Sequence, residues 1–81
     1  MSITRLIQSA SELHALKGEA SYAQHAFETA RANFRNQTDD MSEDEWREIT
    51  GNYSRAIVDL NRIKTRARVL RGRIHFDIDT L

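Results

Sequence analysis

Two runs of apolar residues organise this chain, advancing by steps of three and four save for one step of seven in the first, with a short polar break between them. The second run is the more regular: Trp46, Ile49, Tyr53, Ala56, Leu60, Ile63, Ala67, Leu70 and Ile74. That spacing keeps one stripe of a helix apolar, the a/d pattern of helices that pack along each other. The first run, Leu6, Leu13, Leu16, Ala20, Ala23, Phe27, Ala30 and Phe34, supplies a matching stripe. Between them Asn36-Gln37-Thr38-Asp39-Asp40 is polar and short, so the second helix turns back on the first. The pattern predicts an all-α fold, an antiparallel two-helix hairpin with coiled-coil-like packing, in one domain over residues 1–81. Helix 1 is expected over about 2–36, the turn over 37–41 and helix 2 over about 42–72.

The start of helix 2 is marked by its chemistry. Ser42 and Glu45 have the spacing of a capping box, in which each side chain satisfies a backbone N–H at the other's position. Met41 and Trp46 stand where a hydrophobic staple would stand, and the acids of the first turn suit the positive end of the helix dipole. One register consistent with the loop pairs Ala30 with Tyr53, Phe27 with Ala56, Ala23 with Leu60, Ala20 with Ile63, Leu16 with Ala67 and Leu13 with Leu70. A large side chain meets alanine in the first five layers, which keeps layer volume nearly constant. The same register sends Glu12 towards Arg73 and Glu19 towards Arg66 on one flank, and sets Lys17 near Lys64 on the other.

Beyond Gly72 the period changes. Ile74, Phe76 and Ile78 alternate with His75, Asp77 and Asp79, the pattern of a half-buried strand, so a short extended segment is expected over 74–81. Gly72 would mark the departure from the helix.

Composition narrows the functional classes. There is no cysteine, hence no disulfide framework or thiolate metal site, and no proline to break long helices. No window approaches a membrane span, and the first residues do not form a signal peptide, so a cytoplasmic setting is expected. The formal net charge is zero, but the charges are separated: residues 39–48 are acidic, whereas residues 62–73 carry cations and no acid. Neither a nucleophile–base set nor a glycine-rich phosphate loop is present. His14 and His25 are three turns apart on one helix, and His75, Asp77 and Asp79 read as the solvated side of a strand. No catalysis, cofactor or metal is expected.

What remains is association. Eighty-one residues on a single seam bury little, and the face of helix 1 opposite the seam reads Ala15, Gly18, Tyr22, His25, Thr29 and Ala32, with no formal charge at neutral His25. A homodimer packing as a four-helix bundle through this strip is the expectation. The expected function is a non-enzymatic protein–protein interaction module, an adaptor, inhibitor or assembly factor that occupies or bridges a partner's surface. Its candidate contact points are the acidic turn, Asp39, Asp40, Glu43 and Asp44, and the C-terminal Phe76 and Ile78. The alternative is a nucleic-acid-associated helical protein whose phosphate contacts are Arg62, Arg66, Arg68, Arg71 and Arg73.

Overall fold

The computed structural model describes residues 3–81, so the expected helix start at residue 2 lies outside the described residues. It contains two helices packed against each other, α1 (Ile3–Arg35) and α2 (Glu43–Asp79). The turn is tied by backbone bonds from Gln37 N–H to the Phe34 carbonyl and from Met41 N–H to the Thr38 carbonyl. Thr38 Oγ1 also donates to Asp40. The α2 cap forms as the sequence implies in one of its two halves: the Glu45 N–H donates to Ser42 Oγ at 3.1 Å, with Ser42 in extended backbone.

The core follows the two seams. Leu16 and Ala23 from α1 and Leu60, Ile63, Ala67 and Leu70 from α2 are buried, with Leu13, Ala20 and Phe27 packed against them. Leu70 is fully buried. Towards the turn the packing becomes aromatic. Tyr53 lies between Phe27 and Phe34, with ring centroids 5.8 and 5.0 Å away. Ala30 stands between those two phenylalanines on the same stripe, which is where the alternation of large and small side chains leaves room for Tyr53.

The C-terminal residues correct the sequence reading. The segment over 74–81 is not extended: α2 continues through Gly72 to Asp79. The seam explains why. The steps of three and four run on from Leu70 through Ile74 and Asp77 to Leu81, with a polar residue at one position. Asp77 is wholly buried, whereas Phe76 and Ile78 are exposed. The helix is then closed by Thr80, whose hydroxyl donates to the Phe76 carbonyl at 3.0 Å and whose N–H reaches the same oxygen at 3.1 Å. The α1 seam holds a second polar member, Ser9, buried between Leu6 and Leu13 in the same alternation.

The result is a rod with principal extents of 61 × 15 × 15 Å. Its radius of gyration is 18.1 Å, against about 12 Å for a globular chain of this length. Among the described residues, no helix is long and apolar enough to cross a membrane.

Candidate interaction surfaces

Antiparallel packing gives the rod two flanks of different chemistry. On the first, acids and bases are interspersed. Arg66 grips Glu12 with two bonds, Nε to Oε1 at 2.9 Å and Nη2 to Oε2 at 3.0 Å. Glu12 therefore pairs with Arg66 rather than with Arg73, although Arg73 still adds its charge to the site. Arg66 is accordingly not held by Glu19, which lines a hollow shared with Tyr22, Asp59 and Arg62. A carboxylate between two guanidinium groups is drawn to both, and Glu12 occupies that place.

This arrangement has a pH signature. The Arg66 hydrogen bond, and after it the charges of Arg66 and Arg73, hold the Glu12 carboxyl below its ordinary 4.5. The bond's contribution to stability is complete above 4.5 and is lost as pH falls through the lower folded-state value. Glu12→Gln should lower the urea midpoint at about pH 7 and have a smaller effect at about pH 2.5. Equal losses at both values would assign the effect to packing. Both side chains are more than a third exposed, so solvent keeps the effect small.

At the open end of the rod, the buried Asp77 meets Arg5, with Nε 3.1 Å from Oδ2. Among the described residues, no aligned hydrogen bond reaches either carboxylate oxygen. The strand reading placed His75, Asp77 and Asp79 on one side. In the helix they diverge, Asp77 into the seam and the other two outward, and no group of three or more metal-ligating side chains forms among the described residues.

The second flank carries a groove of about 780 Å³ between the helices. Leu13, Leu16, Ile63 and Ile74 contribute to its lining, as do Lys17, Lys64, Arg68 and Arg71, with His14 beside them and no acid. In sequence, Lys17 and Lys64 read as a minor clash. Only with both helices assembled do Arg68 and Arg71 join them around one apolar hollow.

The other expected residues fall in separate places. Ala15, Gly18, Tyr22, His25, Thr29 and Ala32 are all exposed on the back of α1, and Tyr22 is 80% exposed. A Cβ added to Gly18 meets no atom within 4 Å, so nothing within the hairpin calls for glycine there. The acidic turn is exposed but partly self-satisfied: Arg47 contacts Glu43 at 3.2 Å and Asp44 at 3.7 Å. The Thr38 hydroxyl holds the Asp40 carboxyl below its ordinary value. The five arginines do not form one stripe. Arg66 and Arg73 lie by Glu12, Arg62 lines the hollow near Glu19, and only Arg68 and Arg71 share the groove. No protein-family model, curated protein or solved structure matches the chain, so the reading of these surfaces rests on their own geometry and chemistry.

Proposed function

We propose that this chain is a non-enzymatic interaction module that self-associates as a four-helix bundle and acts by occupying or bridging the surface of a protein partner. The observation that carries this reading is the amount of surface left open. The hairpin exposes 6158 Å², where a globular monomer of its size exposes about 5,000 Å². The excess, roughly 1,100 Å², is comparable to what one partner contributes to a stable protein interface. The exposed apolar side chains include Tyr22, Val58 and Val69 on the outer faces of the two helices.

In the dimer, the uncharged strip from Ala15 to Ala32 on one protomer packs against its counterpart, with Tyr22 as the anchor. An antiparallel arrangement also brings the acidic turn of one protomer near the arginine-rich end of its partner. Light scattering across a dilution series is the test. The wild type should show twice the chain mass, and Tyr22→Glu should return it to the chain mass with the helical signal retained. A wild type that stays folded at the chain mass would end the self-association reading. A Tyr22→Glu variant that stays dimeric would move the interface off this strip.

A further inference from the structure

We infer that the groove on the second flank binds an acidic amphipathic helix of a partner protein, which lies between α1 and α2 as the third helix of a bundle. The inference deepens the reading as an interaction module by naming the docking site and the chemistry of what docks.

Charge is the first argument. Lys17, Lys64, Arg68 and Arg71 all line this one groove. Among the described residues none of the four takes part in an ion pair and no acid lines the groove, while on the opposite flank Glu12 pairs with Arg66, and Glu19 and Asp59 line hollows with Arg55 and Arg62. The hairpin therefore concentrates like charge where its own fold gains nothing from it. An occupant bearing carboxylates relieves that repulsion and gains directional contacts.

The apolar lining is the second argument. The accessible apolar side chains, Ala10, Leu13, Ala20 and Ile74, offer nothing to a phosphate backbone, and no phenylalanine, tyrosine or tryptophan lines the groove for a base to stack on. They do offer a seat for aliphatic side chains. The α1 wall runs from Ala10 to Ala20, about 15 Å or some three helical turns, a length that suits a docked helix with anchors at i, i+3, i+4 and i+7.

The surface also continues towards the open end. Ile3 and Ile7 precede Ala10 by seven and three residues on the same strip of α1, and they are 63% and 60% exposed. On α2, Ile78 stands seven residues beyond Arg71 and is also exposed. The docking surface is basic in its middle and apolar at one end, so it reads the direction of a helix as well as its charge. The chain's own acidic helix start is a poorer occupant, because Glu43 and Asp44 already contact Arg47.

The test uses the full chain and a synthetic 16-residue peptide with leucines on one helical face and glutamates on the other. A scrambled peptide of equal composition and a mixed-sequence DNA duplex serve as comparisons. The amphipathic peptide should bind at least about tenfold more tightly than the scrambled one. The double variant Lys64→Glu, Arg68→Glu should weaken binding by about tenfold or more, whereas Arg55→Glu, Arg62→Glu on the other side leaves it within about twofold. Circular dichroism of each variant separates lost binding from lost folding, and Lys64→Gln, Arg68→Gln replaces any pair that unfolds. Equal binding of both peptides, equal sensitivity to both double variants, or tighter binding of the duplex than of the amphipathic peptide would each overturn the inference. So would a peptide affinity that falls as the chain's own concentration is raised, since the groove would then be occupied by a second copy. A chain that is monomeric yet binds the peptide here overturns only the dimer; a dimer indifferent to the peptide overturns only the groove.

Discussion

Asp77→Leu is expected to stabilise the hairpin by about 1–3 kcal/mol, while Arg5→Ala destabilises it by a similar amount. The opposite signs follow from one geometry. The Asp77 side chain is completely removed from water and has a single ion contact, to an Arg5 that is itself half exposed. A carboxylate in that position loses its hydration and recovers only part of the loss, because no aligned hydrogen bond reaches it among the described residues. Leucine at a seam position removes the desolvation cost and adds apolar contact. Removing Arg5 does the reverse, leaving the carboxylate with less compensation; partial access of water to Arg5 keeps the loss below that of a wholly buried pair. Urea midpoints at fixed pH measure both. If Asp77→Leu proved the less stable chain, the carboxylate would have to be held by more than Arg5.

The second large effect belongs to Leu70→Ala, at about 2–4 kcal/mol of lost stability. Leu70 is fully buried, the most deeply covered apolar side chain of the core. A rod only two helices thick has few neighbours able to move in and fill the space. The half-buried Leu13, changed in the same way, should cost less, since part of its surface already meets water. Domains of this size hold only about 5–15 kcal/mol in total, so Leu70→Ala should broaden or abolish the thermal transition. A loss below that of Leu13→Ala would mean that burial does not set the cost here.

Much of the architecture was legible because it depends on local and periodic signals. Ser42 marks a helix start through its own hydroxyl, and the recurrence from Trp46 to Leu70 survives the stagger of large and small residues. The C-terminal end misled for a physical reason. Asp77 and Ser9 occupy seam positions with polar side chains, so the stripe looks broken at the point where the two helices still face each other. Over the few residues from Ile74 to Ile78, alternation by two and helical spacing are then hard to separate.

The surfaces were legible only in part. Tyr22 and its strip are found by walking around one helix. The basic groove requires both helices at once, because Lys17 comes from α1 while Lys64, Arg68 and Arg71 come from α2. The choice of Arg66 over Arg73 by Glu12 depends on the reach of long side chains, which spacing along the chain does not encode.

The placement of the Asp77–Arg5 contact also bears on how the molecule opens. Tyr53 and Phe34, beside the turn, are 19 residues apart in sequence, whereas Arg5 and Asp77 are 72 apart. Closing the second contact from an unfolded chain costs more loop entropy than closing the first, so the hairpin zips from its turn and the polar contact forms last. Fluctuations should retrace that path, with backbone amides near Ser9 and Ile74 exchanging with solvent before those near Ala23 and Leu60. The least favourable pair in the seam thus sits where the zipper ends, and the open end is the natural place for the rod to part.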